Sequence, residues 1–425
     1  MIAKYPQIYI RSYRHTLIRR RIMKTRNIPF SPPDISEKEI ELVVEAMRSG
    51  WITTGPKTKQ FESQLADYCN TDKVVTMNSA TAAMEMTLRL LGVGPGDEVI
   101  TSAYTYTASA SVIHHVGAKI VLVDIQEGKP EMNYKLLEEA ITEKTKVIIP
   151  VDIAGIMCDY DMIFEIVERK KELFTPNNDL QSSFGRIIVM ADAAHSFGAK
   201  YKGKMSGQVA DFTAFSFHAV KNLTTAEGGA VTWRNQSFIV NEELYKEYML
   251  LILHGQSKDA LAKNVPGSWE YDIVAPNYKC NMTDIQAAIG ISQLERYDEI
   301  LKVRNLLVDS YNEQIDRVFQ NVLHLDHLNE YQDSSSHLYF IRIVGISEKK
   351  RNNIIIKLAE RGISTNVHYK PLPLLTAYKN LGFEINDYPA AYNFYQNEIT
   401  LPLNSLMVLE DVDYVVENLI EVLND

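Results

Sequence analysis

Cysteine is scarce: Cys69, Cys158 and Cys280 are the only three among 425 residues. They lie far apart, with no CxxC pair and no Cys/His ligand spacing, which argues against a disulfide framework or a zinc site. Three reduced thiols are expected, and with them a cytoplasmic location. No apolar run approaches the roughly 18 residues that a membrane span needs. No GxGxxG follows the early strands, which leaves a nucleotide-binding oxidoreductase without support. Positive charge is also short, with 44 Lys and Arg against 54 Asp and Glu and a net charge of −10. A general nucleic-acid binder is therefore disfavoured. A local anion site inside a cleft is not.

The chain does have 46% hydrophobic and 23% charged residues, the balance of a globular enzyme. Its length exceeds one compact core, so two domains are expected. Residues 1–26 are basic, with Arg19, Arg20 and Arg21 in a row and no apolar stretch behind them. They read as a tail without a catalytic role, and Met23 opens a plausible shorter chain. From residue 73 strands and helices alternate. KVVTM reads as a strand, TAAMEMTLRLLG as a helix stopped at Gly92, where glycine suits a helix end. EVITS, KIVLVDI, KVIIPVDIAG, RIIVMADAAH, DFTAFSFH and GGAVTW supply further strands, and TPNNDLQSS reads as a polar surface loop. This order predicts an α/β fold, a sheet with helices on both faces. After about residue 270 long amphipathic segments take over, so residues 27–270 are expected to form a large α/β domain and 271–425 a smaller α+β one.

In such sheets ligands sit beyond the C-terminal strand ends. After the first strand, Asn78-Ser79-Ala80-Thr81 opens a helix, giving either an anion site or a simple N-cap. Asp192 ends a buried strand, where a carboxylate needs a partner; a protonated pyridine nitrogen is one, a helix cap another. Lys221 follows the strand DFTAFSFH among small residues and glycines, and a desolvated lysine forms Schiff bases with aldehydes. Tyr106 adds an aromatic plane at the same rim. Each feature alone has a dull explanation. Their order on successive strand ends points to pyridoxal phosphate (PLP).

Residues 216–229, SFHAVKNLTTAEGG, resemble the lysine motif of the DegT/StrS group of fold-type I PLP sugar aminotransferases. The likeness is greatest to enzymes that aminate C4 of UDP-4-keto-sugars. Residues 49–56 (SGWITTGP), 78–83 (NSATAA), 192–195 (DAAH) and 278–288 (YKCNMTDIQAA) also match that pattern. The likeness runs from about residue 27 to the C-terminus. It implies a large domain with a mostly parallel seven-stranded sheet and a smaller C-terminal α+β domain. It implies that Lys221 carries PLP and moves the proton, that Asp192 pairs with the ring nitrogen, and that His195 lies near the ring's phenolic oxygen. Tyr106 would stack on the cofactor, while Ala80, Thr81 and Ser216 would hold its phosphate. Asn281 would reach the cofactor of a neighbouring subunit, making the active unit a homodimer. Thr54, His368 and Tyr369 fall where relatives line the sugar-nucleotide site.

The chain departs from the pattern in three places. His195 stands where glutamine is common, Ser102-Ala103 where a proline is usual, and 168–183 is longer. The substrates implied are an amino-acid donor, by analogy glutamate, and a nucleotide-linked keto-sugar. A PLP dehydratase of the same fold would carry histidine in place of Lys221, and a non-catalytic relative would have lost Lys221 or Asp192.

Overall fold

The computed structural model describes residues 26–258 and 270–424. The basic segment expected to be a tail lies, up to residue 25, outside the described residues. Seven strands form the main sheet: β1 (Val74–Met77), β2 (Glu98–Ser102), β3 (Lys119–Val123), β4 (Thr145–Ile149), β5 (Ile188–Asp192), β8 (Phe212–Ser216) and β9 (Gly229–Trp233). Their order is β1-β9-β8-β5-β4-β2-β3. β9 runs antiparallel to both neighbours and the other pairs are parallel. This is the mostly parallel seven-stranded sheet of the fold-type I expectation. Val147, Ile148 and Ile149, like Ile188, Val189 and Met190, are wholly buried, as strands covered on both faces must be.

Three early helices matter for the site: α1 (Glu37–Ser49), α2 (Pro56–Cys69) and α3 (Ala80–Leu90). One core layer lies under α3 and the helix Ala108–His115, with Met84, Leu88 and Ile113 buried. The opposite layer holds Phe61 and Leu65 of α2, Ile163, and Ala287 and Ile291 of the helix Asp284–Glu295. A second sheet, order β10-β12-β13, is antiparallel: β10 (Val322–His324), β12 (Tyr339–Ile343) and β13 (Glu398–Leu401). Tyr311, Ile315, Leu358 and Leu419 pack a separate core against it. A small ribbon joins β6 (Lys200–Tyr201), β7 (Lys204–Met205) and β11 (Gln332–Asp333).

One local expectation needs correction. Residues 175–183 are not all loop, because Asp179–Phe184 is a helix with Asn178 as its cap, accepting from Gln181 N–H. Asn178 and Gln181 both donate to the carbonyl of Leu91, so these polar side chains tie the helix to the core instead of facing water. The long amphipathic segments after residue 270 include the helices Asp284–Glu295 and Tyr297–Val318, which meet at Arg296. Arg296 binds Asp34 and Glu39 there.

Candidate active site

The register of the main sheet gathers its strand ends at one edge. Met77 lies opposite Gly229, Gly229 opposite Ser216, and Asp192 beside Ala214. A cavity of about 360 Å³ opens at that edge, lined by Ala80, Thr81, Tyr106, Asp192, His195, Ser216, Lys221, His368 and Tyr369 among others. Thr54 and Asn281 do not line it. Asn281 donates to Thr54 Oγ1 and to the Met282 carbonyl, and Thr54 donates to the same carbonyl.

The floor of the cavity is the start of α3. Ser79 is its N-cap and accepts from Ala82 N–H at 3.1 Å. The dull reading of Ser79 therefore holds, yet it leaves first-turn N–H groups pointing where an anion fits. Gly229 presses against this turn: a Cβ added there would lie 2.3 Å from Ala80 N. Only glycine lets β9 run this close to the turn.

Asp192 is buried, with Oδ2 accepting from Ser109 Oγ at 2.6 Å and Oδ1 from Ala194 N–H at 3.2 Å. Burial raises its pKa, while Ser109, Ala194 and the Lys221 charge lower it. A cation beside it stabilises its ionised form. Lys221 follows β8 in a turn where its N–H donates to the His218 carbonyl. Desolvation pushes its amine down to about 8, against the pull of Asp192. An amine so poised gives up its proton near neutral pH.

His195 holds one tautomer. Ala154 N–H donates to Nδ1 at 3.2 Å, so the ring proton sits on Nε2, 3.0 Å from Tyr369 Oη. Ala154 takes a left-handed conformation, φ 62°, in making that bond. Burial first, then the Lys221 charge, pushes the His195 pKa well below the ordinary value, and the ring stays neutral. Tyr106 stands at the mouth, 60% exposed, its ring 5.9 Å from that of Tyr369.

Several supporting residues have no signature in the sequence. Asn222, next to Lys221, donates to the Ser335 carbonyl at 2.7 Å and accepts from His337 Nδ1 at 2.8 Å. Ser335 Oγ donates to the carbonyl of His195. His337 packs 4.4 Å from the His195 ring. The SSSH run at 334–337 thus ties the lysine turn to His195, though by composition it reads as a linker. Ser109 was missed for a similar reason, lying on a helix far from Asp192 in sequence.

Phosphate-ready N–H groups, a close-fitting glycine, a buried carboxylate and a desolvated lysine in one cavity fit pyridoxal phosphate. The DegT/DnrJ/EryC1/StrS aminotransferase family profile matches residues 33–420. The chain belongs to this family. It is a PLP-dependent sugar aminotransferase of fold type I.

Spr1654 of Streptococcus pneumoniae, assigned as a sugar aminotransferase and solved in PMP form, is 58% identical. It superposes with a TM-score of 0.91, covering 94% of this chain and 99% of its own. The spore coat polysaccharide biosynthesis protein SpsC of Bacillus subtilis is 36% identical over 92% of this chain and 95% of its own. The UDP-4-amino-4-deoxy-L-arabinose–oxoglutarate aminotransferase of Shewanella sediminis is 33% identical over 95% and 100%.

Proposed function

We propose that this aminotransferase moves an amino group from glutamate to C4 of a UDP-linked 4-keto-6-deoxy-hexosamine, in the cytoplasm, for a cell-surface polysaccharide or glycan. The observation that carries the reading is one cavity holding Lys221 and Asp192 beside the start of α3. The C4 assignment is supported by the motif at 216–229 and by the likeness to the Shewanella arabinose-pathway enzyme.

Bound PLP supplies the electron sink for amino exchange. The chain's own residues do the rest. Lys221 Nζ would hold the cofactor and, as a free amine, would take up and return the proton that moves between carbons. Asp192 would fix positive charge at the ring nitrogen. His195, whose Nε2–H meets Tyr369 Oη, would turn that hydrogen to the ring oxygen, while Ala80, Thr81 and Ser216 would hold the phosphate. Tyr106 would cover the ring at the mouth. His368 and Tyr369 would face the sugar nucleotide across this cavity, while Thr54, bonded to Asn281 away from it, would act with Asn281 at the neighbouring subunit's site. The active unit is a homodimer, in which Asn281 serves the neighbouring subunit's cofactor. Two half-reactions on one lysine give ping-pong kinetics.

The test is an absorption spectrum of the purified protein before and after glutamate, beside Lys221→Ala. A yellow band that glutamate bleaches, and that the variant fails to form, supports cofactor, lysine and donor together. A band indifferent to glutamate removes the donor. With a panel of keto-sugars, turnover of a 3-keto-sugar and of no 4-keto-sugar overturns the C4 assignment.

A further inference from the structure

Behind the sugar side of the cavity lies a polar chain that none of the roles above uses. β13 presents Glu398 and Thr400 on one face, two residues apart, and both are fully buried. Arg342 and Phe340 of β12 stand opposite them in register. His368 lies over this face, its ring near-parallel to those of Phe340 (6.2 Å, 5°) and Phe30 (5.5 Å, 22°). Its Nδ1 is 2.9 Å from Thr400 Oγ1, and Thr400 Oγ1 is 2.6 Å from Glu398 Oε1. The other carboxyl oxygen, Oε2, accepts from the His368 backbone N–H at 3.1 Å. With Nδ1 engaged on the protein side, Nε2 is the nitrogen left for the cavity that His368 lines together with Lys221.

Hydrogen counting makes this chain directional. Oε2 already accepts the hydrogen bond of the backbone N–H, so a proton on Glu398 sits on Oε1, the oxygen facing Thr400. Glu398 then donates to Thr400, whose single hydroxyl hydrogen turns to Nδ1, and His368 must carry its own proton on Nε2. When Glu398 is ionised the pattern reverses: Thr400 donates to Oε1, Nδ1–H donates to Thr400, and Nε2 presents a lone pair. We propose that Glu398 and Thr400 are positioning residues that set the tautomer of His368, so that a proton kept on the buried carboxyl is delivered into the cavity at Nε2.

The transfer balances. The Nε2 proton leaves for the substrate, the Thr400 hydrogen passes to Nδ1, and the Glu398 hydrogen passes to the Thr400 oxygen. One proton is delivered, Glu398 ends ionised and His368 stays neutral. A keto oxygen is only an acceptor and must collect protons to depart as water, so the Nε2–H form is the one suited to it. This use of the relay rests on the proposed keto-sugar reaction.

The electrostatics agree with the geometry. Burial pushes the Glu398 carboxyl up to about 8, opposed by Thr400, the His368 N–H and the charges of Arg351 and Arg342. Those guanidiniums bond elsewhere, Arg351 to the carbonyls of Tyr395 and Glu398 and Arg342 to Asn397. Tyr104 and Tyr369 also face the carboxyl, and burial holds both phenols well above their ordinary range. Burial, then the Lys221 charge, pushes His368 itself down to about 3, so the ring changes tautomer and not charge.

The experiment is nitrogen NMR of the holoenzyme labelled with ¹⁵N in its ten histidines, with His368 assigned from a His368→Gln sample. In the parent, His368 is expected to change from Nε2–H to Nδ1–H as pH rises through about 8. In Glu398→Gln the amide N–H replaces the acid proton, and His368 stays Nε2–H at every pH. Thr400→Ser keeps the parent behaviour and Thr400→Val uncouples the ring from pH. In single turnovers with keto-sugar, Thr400→Val is slower by about a hundredfold, the low end of acid catalysis, and Thr400→Ser recovers the parent rate. A His368 tautomer that is fixed across pH in the parent, or that switches in Glu398→Gln as in the parent, overturns the relay. Absent turnover of every keto-sugar with the tautomer switch intact overturns the substrate reading instead.

Discussion

Lys221 and Asp192 are both buried and both pay in stability for standing at the site. The unfolded lysine holds its proton up to its ordinary pKa, whereas the folded amine releases it at about 8. Between those values the unfolded chain binds more protons, so stability rises with pH across that window. The cofactor-free Lys221→Met variant is therefore expected to melt above the cofactor-free parent at pH 7. The gap should close as pH climbs past 8 toward the ordinary lysine range, and thermal denaturation at a series of pH values checks it. Asp192→Asn keeps the shape and loses the charge. Amino transfer should fall on the order of 10²–10³-fold, the usual cost of removing one preorganised electrostatic partner. Steady-state turnover with saturating cofactor measures it.

Between elements, single side chains and single glycines do the joining. Asp284 accepts from the N–H groups of Gly55, Lys57 and Thr58 and from Thr58 Oγ1, so one carboxylate caps α2 from another helix. Asp284→Ala strands these donors and should cost about 2 kcal/mol or more in chemical denaturation. Gly229→Ala forces a methyl group against the first turn of α3. Overpacking of about 1–3 kcal/mol there corresponds to roughly tenfold weaker cofactor retention, read as cofactor lost on dialysis. The alternation of apolar runs and the residues ending them made the strands and the Lys221–Asp192 pairing legible in the sequence, because a buried strand end admits few polar residues without a reason. Asn178, Gln181 and the 334–337 run misled or stayed silent. Polar residues look alike in sequence whether they meet water or a buried carbonyl, and only the fold brings the Leu91 and His195 carbonyls to them. Glu398 and Thr400 were equally hidden, since their partner His368 is 30 positions from one of them.

At the scale of the whole molecule, the two sheets are fastened around the cavity. Asp124, just past β3, accepts from the N–H groups of Ala390 and Ala391. Tyr104 Oη donates to the His368 carbonyl at 2.7 Å, and Thr107 pairs with Tyr378. The proposed homodimer has a test of its own. Lys221→Ala and Asn281→Ala chains, each impaired alone, should regain activity when mixed, because a mixed dimer holds one site with both residues intact. No recovery on subunit exchange would place Asn281 in its own chain's service. The walls of the cavity also come from widely separated parts of the chain: Ala80 early, Lys221 midway, and the Glu398–Thr400 backing near the end. On a translating ribosome the amine emerges more than a third of the chain before that backing, an interval on the order of ten seconds or more. The nascent lysine thus waits as an ordinary protonated amine, and gains its reactivity only when burial in the finished cavity lowers its pKa.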